Sequence, residues 1–135
     1  MLPGGGSRRP ASHEAIEEGL NKIYMKGGDV FRFAKRIIGE CIGEVSRKCG
    51  VDPASISTIV PHQSNTAIIK EAARILGTPV ERFHLNMKDV GNTAAASVPL
   101  ALADAVEQVK PAAGDTVALV SYGAGLAYAA ALLEW

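Results

Sequence analysis

The 135-residue sequence has no excess of charge of either sign, because 14 lysines and arginines balance 14 aspartates and glutamates. A chain without net charge has no long-range field that attracts nucleic acid or an anionic membrane, which excludes a basic binding arm. Apolar stretches also end well short of the roughly 18 residues of a membrane span, and the first residues contain no signal-peptide core. These absences predict a cytoplasmic protein that binds neither nucleic acid nor membrane.

Cysteine is scarce as well, since Cys41 and Cys49 are the only two and both fall within one predicted helix. Their spacing matches no metal-ligand pattern and there is no second pair, so we expect reduced packing residues and no metal site. By contrast, 47% of the residues are hydrophobic, and a chain of this length can bury a core without disulfides or metals. Residues 1–11, rich in glycine, predict a linker or extended arm, and residues 12–135 predict one domain.

Helical and strand patterns alternate along the predicted domain. Apolar residues at helical spacing predict helices over 29–49 and 65–76, each followed by a glycine that ends it, and Ser12 is suited to cap a short helix through about Asn21. Short apolar segments predict five strands, at residues 23–25, 57–60, 83–86, 116–121 and 127–133. The pattern indicates an α/β fold: a mixed five-stranded sheet with helices on both faces and an antiparallel last strand pair joined across Gly123–Gly125.

One predicted helix is apolar around nearly its whole circumference. It extends from Thr93 to Val109, with a bend or restart near Pro99, and is dominated by alanine, valine and leucine. A single sheet covers one side of such a helix at most. We therefore expect something outside this chain to cover the other side.

Three polar or glycine-rich segments follow predicted strands. His62 lies in Pro61–Asn65, Asn92 follows Gly91, and Tyr122-Gly123-Ala124-Gly125 follows the strand at 116–121. A structural histidine, a helix-capping asparagine and an ordinary turn are the plain alternatives. The carboxyl ends of parallel strands meet at one edge, however, where open α/β sheets place their sites. Imidazole and carboxamide N–H groups aimed at one carbonyl oxygen would stabilise an enolate.

In their order, the segments Pro61–Asn65, Gly91–Pro99 and Tyr122–Gly125 resemble the three C-terminal signatures of the β-ketoacyl-acyl-carrier-protein synthase III family of thiolase-fold condensing enzymes. The similarity continues through Met25–Phe31 and Ala131–Trp135. The resemblance implies a thiolase-like C-terminal half and a decarboxylative Claisen condensation that starts fatty-acid synthesis. In that reaction an acyl group from acyl-CoA is loaded on a cysteine and joined to malonyl-acyl-carrier protein, and no cofactor is needed.

The resemblance also implies a role for individual residues. His62 and Asn92 are the expected catalytic pair that polarises the malonyl thioester carbonyl. The backbone N–H of Ala124, beside Gly123, is an expected oxyanion-hole donor. The remaining implied residues contact the substrate, namely Gln63, Asn65, Gly27 and Phe31, or dock the acidic carrier protein, namely Arg32 and Arg74.

Two departures from the family qualify this expectation. The family's nucleophilic cysteine lies in an N-terminal half, before a helix that lowers its pKa, whereas Cys41 is in mid-helix and Cys49 at a helix end. Ala67 stands where relatives often carry a carrier-docking arginine. We expect the chain alone to be inactive and its partners to be the missing N-terminal half, acyl-carrier protein and a second copy of the chain in a dimer. Two alternatives stay open: one subunit of a split condensing enzyme, and a non-catalytic binding or assembly module.

Overall fold

The computed structural model describes residues 2–135 and divides the chain into two compact units. The first ends at Val30, and the second, Phe31–Trp135, is the main unit. The helices and strands in chain order are α1 His13–Glu17, α2 Gly27–Cys49, β1 Ile56–Pro61, α3 Thr66–Leu76, α4 Met87–Val90, α5 Ser97–Gln108, β2 Thr116–Gly123 and β3 Ala127–Glu134. Within residues 2–135 no helix is both long and apolar enough to cross a membrane.

The first unit is built around the short helix α1. Ser12 caps it as predicted, because its hydroxyl accepts a hydrogen bond from the Ala15 N–H at 3.1 Å, but the helix stops at Glu17. The predicted linker contains a hydrogen-bonded turn, in which the Gly5 N–H donates to the Arg9 carbonyl. Met1 lies outside the described residues, and the linker boundary at residue 11 stays a prediction.

Two predicted helices, α2 and α3, are confirmed. Helix α2 buries one stripe of apolar side chains, and Gly50 follows it with a φ of 68° that suits glycine. Helix α3 is capped by Asn65, whose side chain accepts a hydrogen bond from the Ala67 N–H, and it ends at Gly77 in the left-handed conformation. Local sequence signals are therefore sufficient to define these helices.

The sheet has three strands in the order β1-β2-β3, so the prediction of five strands is wrong. β1 and β2 are parallel, and β2 and β3 form the predicted antiparallel hairpin. Residues 23–25 are irregular and exposed. Of residues 83–86, only Phe83 forms a bridge, to Ile59, because the His84 carbonyl and the Asn86 N–H form hydrogen bonds with the Gln63 side chain instead of continuing a ladder.

Helices cover both faces of this sheet, as predicted. On one face, α2 and α3 pack with side chains of β1 and β2 in a large apolar cluster that includes Ile38, Ile69 and Val120. On the other face, Ala101 and Ala105 of α5 pack against Val60 and Val117. Alternate residues of β2 thus face opposite layers. This arrangement holds the carboxyl ends of β1 and β2 side by side.

Helix α5 begins after a short 3₁₀ turn, Ala94–Ala96, which replaces the first part of the predicted helix. Pro99 falls in the first turn of α5, where its missing N–H costs no hydrogen bond. Ser97, Ala101 and Ala105 are buried, whereas the outer face of α5, formed by Pro99, Leu100 and Ala103 together with Ala96 of the preceding turn, is exposed. The expected apolar face without cover is present in the structure.

Candidate active site

The three predicted segments line one cleft of about 530 Å³ at the carboxyl ends of β1 and β2. Such a volume falls in the range of small-molecule sites. The lining consists of apolar, small or neutral polar residues: His62, Asn92, Ala94, Ala95, Ser121, Tyr122, Gly123, Ala124, Ala127, Tyr128 and Ala129.

His62 is held in place through its backbone and its ring. Its N–H donates to the Val120 carbonyl at 2.8 Å, which extends the β1–β2 pairing by one residue. The imidazole is half-buried, and burial lowers its pKa below the usual value. At neutral pH the ring is therefore uncharged, with one N–H to donate and one nitrogen to accept.

Tyr122 forms a wall beside His62. The two rings meet edge to face, with centroids 5.3 Å apart and an interplanar angle of 79°. The hydroxyls of Tyr122 and Ser64 lie 2.6 Å apart and share a hydrogen bond. Burial raises the pKa of Tyr122, so its hydroxyl stays protonated. Tyr122 is thus held in place by the ring of His62 and the hydroxyl of Ser64.

Asn92 is placed by a tight backbone turn. Its side-chain oxygen accepts a hydrogen bond from the Ala94 N–H at 3.0 Å, which stabilises the turn. The cap residue of the Ala94–Ala96 turn is Thr93, so Asn92 is a turn residue and not the helix cap. The turn uses the oxygen of the Asn92 carboxamide, and the NH₂ group is the part of the side chain that can act as a hydrogen-bond donor. Gly91 has φ 68° and ψ −159°, and Ala94 has φ 50°. Both are unfavourable for ordinary residues, a form of strain that clusters at functional sites.

The glycine-rich turn joins β2 to β3. Gly123 and Ala124 line the cleft, and both are exposed. Gly125 has a φ of 146°, and a Cβ placed there would lie 2.8 Å from the Ala127 nitrogen. Only glycine fits this position.

None of the four residues expected to bind substrate is among those that line the cleft. Gln63 is completely buried and makes its hydrogen bonds inside the protein. Asn65 caps α3. Phe31 packs at the edge of the large apolar cluster, with the Lys35 ammonium 5.8 Å from its ring centroid. Gly27 is the first residue of α2 and belongs to the first unit.

The expected docking cations and the cysteines also lie away from the cleft lining. Arg32 and Arg74 are exposed, and Arg74 forms a two-point ion pair with Glu71, with both N–O distances 2.9 Å. Cys41 is buried in α2, where burial is the main cause that raises its thiol pKa. Cys49 is exposed at the end of α2. Neither thiol lies at a helix N-terminus, so the expectation of an unactivated cysteine agrees with their positions.

The sequence did not identify Ser97 or Tyr128 as residues that shape the site. Ser97 is buried and accepts a hydrogen bond from the Gln63 N–H at 2.6 Å, and Tyr128 lines the cleft from β3. Strand alternation could have indicated Tyr128, since it pairs directly with Tyr122. The Ser97 contact joins segments far apart in the chain, and local patterns do not report it.

Solved structures with the same fold include the synthase III of Thermus thermophilus, a β-ketoacyl-[acyl-carrier-protein] synthase. It aligns with a TM-score of 0.81 and 47% identity over 85% of this chain and 36% of its own. The 3-oxoacyl-(acyl carrier protein) synthase III of Pseudomonas aeruginosa aligns over the whole chain and 40% of its own, with a TM-score of 0.85 and 34% identity. The α/β architecture is thus that of a thiolase-like condensing enzyme.

Sequence comparisons identify the family. Its profile, described as 3-oxoacyl-[acyl-carrier-protein (ACP)] synthase III C terminal, matches residues 46–135. Curated relatives named beta-ketoacyl-[acyl-carrier-protein] synthase III include those of Caldanaerobacter subterraneus, 40% identical over 99% of this chain, and Symbiobacterium thermophilum, 42% identical over 98%. The chain belongs to the family of synthase III C-terminal domains. It spans about 40% of the length of these two relatives.

Proposed function

We propose that this chain is the C-terminal part of a β-ketoacyl-acyl-carrier-protein synthase III, which joins an acyl group from acyl-CoA to malonyl-acyl-carrier protein and so starts fatty-acid synthesis. One observation carries the proposal: His62, Asn92 and the Gly123-Ala124 turn line a single neutral cleft. Family membership supports the same reaction class. The reaction needs no cofactor, and we propose a cytoplasmic location for it.

The proposed chemistry begins with decarboxylation. The malonyl thioester carbonyl oxygen accepts hydrogen bonds from the imidazole N–H of His62 and the carboxamide N–H of Asn92. When the bond to the carboxylate breaks, its electron pair moves into the thioester, carbon dioxide leaves, and the two donors stabilise the enolate oxygen. Because burial lowers the pKa of His62, the ring starts neutral and donates without giving up its proton to the product.

Carbon–carbon bond formation follows. The enolate carbon attacks the carbonyl of an acyl group held on a cysteine, the tetrahedral oxyanion accepts a hydrogen bond from the Ala124 N–H, and the cysteine thiolate leaves. Since Cys41 and Cys49 lie outside the cleft lining, the nucleophilic cysteine comes from the remaining part of a full-length synthase. That part also covers the outer face of α5, and acyl-carrier protein docks near Arg32 and Arg74.

The test measures malonyl-thioester decarboxylation by the chain mixed with an N-terminal portion of the Caldanaerobacter relative. His62→Ala and Asn92→Ala are each expected to lower the rate by about 10² or more, the usual effect of losing one preorganised donor. Acyl loading of the added cysteine should change much less, because that step does not use these donors. Full decarboxylation by either variant would show that the residue has no such role.

The chain alone serves as the reference. Without an activated thiolate it should support no condensation and acquire no acyl group on Cys41 or Cys49. An acyl adduct on either thiol together with turnover would contradict the assignment of the nucleophile. Binding of a partner without any decarboxylation would favour the alternative of a non-catalytic assembly module.

A further inference from the structure

Gln63 follows His62 in the chain, and its side chain is entirely buried. Its carboxamide nitrogen donates to the Pro61 carbonyl at 2.9 Å and to the His84 carbonyl at 3.0 Å. Its carboxamide oxygen accepts from the Asn86 N–H at 3.2 Å, and its own backbone N–H donates to the Ser97 hydroxyl at 2.6 Å. Both side-chain N–H donors and the side-chain oxygen therefore form hydrogen bonds within the protein, and the buried side chain offers no exposed surface to a substrate.

The partners of Gln63 lie on both sides of Asn92 in sequence. Asn86 precedes α4, which leads to Gly91 and Asn92, and Ser97 begins α5 just beyond the Ala94–Ala96 turn. The chain thus leaves Gln63 at Asn86, passes through Asn92, and returns to Gln63 at Ser97. We call residues 86–97 the Asn92 loop.

The entry to this loop is anchored a second time. The His84 imidazole lies 2.7 Å from the Asp104 carboxylate, which joins the start of the loop to α5. His84 is buried and Asp104 is half-buried. The hydrogen bonds of Gln63 favour one arrangement of the segments they connect, because breaking them leaves buried groups unpaired. The Asn86 Oδ1 and the Thr93 hydroxyl, in the same loop, are buried without a hydrogen-bond partner among residues 2–135.

We propose that Gln63 is a positioning residue that fixes the Asn92 loop relative to His62, so that both donors meet at one carbonyl oxygen. The inference rests on the proposed function of His62 and Asn92 and assigns to Gln63 a role other than substrate contact. Gln63 touches no reacting atom; it acts through the backbone on both sides of the cleft. A small displacement between two donors is enough to lower a rate substantially.

Two variants test this role. Gln63→Glu keeps the shape of the side chain, but a carboxyl group, protonated or not, cannot donate to both the Pro61 and the His84 carbonyls, so at least one donor is lost. Ser97→Ala removes only the acceptor of the Gln63 N–H and leaves the helix-forming backbone intact, so it serves if Gln63→Glu does not fold. The control is Ile69→Val, which removes one buried methyl group from the opposite face of the sheet and lowers stability without touching the network.

The first measurement is the amide order parameter of the Asn92 loop in the whole 135-residue chain, obtained by nuclear magnetic resonance relaxation. In the parent and in Ile69→Val the order parameter should be about 0.85, which indicates a rigid loop. In Gln63→Glu and Ser97→Ala it should fall to about 0.6. The second is malonyl-thioester decarboxylation with the N-terminal portion added. The network variants should lose about tenfold to a hundredfold in kcat with little change in KM, and Ile69→Val should keep the parent kcat.

An unchanged order parameter in the variants that fold would overturn the inference whatever the activity. A mobile loop combined with parent-level kcat would also overturn it, because position would then not matter for the reaction. If the parent itself shows no decarboxylation, the proposed function fails, and the order parameters alone decide whether Gln63 fixes the loop.

Discussion

His62 combines two properties that a carbonyl-polarising donor needs. Its backbone is part of the β1–β2 pairing, and its ring packs edge-on against Tyr122, which is itself hydrogen-bonded to Ser64. Partial burial disfavours the charged ring and lowers its pKa. A neutral, oriented imidazole is therefore a consequence of the packing at the end of β1.

We expect this pKa to be visible in the pH dependence of folding. The unfolded chain binds a proton at His62 near pH 6.5, whereas the folded chain does so only at lower pH, so stability falls as pH drops through that window. Proton resonances of the His62 ring should titrate with a midpoint below about 6.5. Urea unfolding across the same pH range should lose part of its pH dependence in His62→Gln. A midpoint at or above the ordinary value would contradict burial as the dominant influence.

At the scale of secondary structure, the Asn92 loop depends on a glycine. Gly91 adopts φ 68° and ψ −159°, a region essentially closed to residues with a Cβ, although the space around it is open. The position therefore requires glycine for its backbone conformation and not for lack of room. The residue directly before Asn92 thus helps to set where its carboxamide lies.

Gly91→Ala should lower the free energy of unfolding by about 1–3 kcal/mol through backbone strain. The matched control is Gly43→Ala, an exposed position within α2 that is equally open; this change should raise stability by about 0.5–1 kcal/mol, because alanine is the better helix former. Urea denaturation of both variants measures the two changes in the free energy of unfolding, which should have opposite signs. Equal effects of the two substitutions would show that Gly91 is not strained.

The helices and the β2–β3 hairpin could be predicted from sequence because their signals are local. Apolar spacing marks α2 and α3, and Asn65 and Gly77 mark the ends of α3. The segment 83–86 has a strand-like composition, yet His84 and Asn86 form hydrogen bonds with Gln63, so tertiary contacts override the local preference. The motif around Gln63 does not reveal these contacts either, because His84 and Asn86 are distant from it in sequence.

The cleft, too, could be predicted from local sequence patterns only in part. The meeting of His62, Asn92 and the glycine-rich turn could be predicted because each follows a predicted strand and the ends of parallel strands share an edge. Asn92, however, follows a segment that forms only one bridge. Its position depends on the buried network instead of on a strand, a dependence that no local pattern contains.

At the scale of the whole molecule, two apolar surfaces lack a covering layer within the part that the structure describes. The outer face of α5 exposes Leu100 at 44% beside three smaller apolar residues. Strand β3 forms an edge of the sheet, with Tyr128 53% exposed. Uncovered apolar helices and edge strands favour association. The chain spans about 40% of the length of its relatives, and we propose that the rest of a full-length synthase covers α5.

Ala103→Lys tests this proposal, because Ala103 is exposed in the middle of the outer face of α5. The chain should still fold, since the lysine reaches solvent, but binding to the added N-terminal portion should weaken by about 3–5 kcal/mol if the charge is buried unpaired. Gly43→Lys adds the same charge to α2, on the opposite side of the sheet, and should bind like the parent. Sedimentation of the mixtures measures the difference. Equal binding of the two lysine variants would place the interface elsewhere, and a parent chain that stays monomeric at high concentration and binds no apolar dye would show that α5 needs no cover.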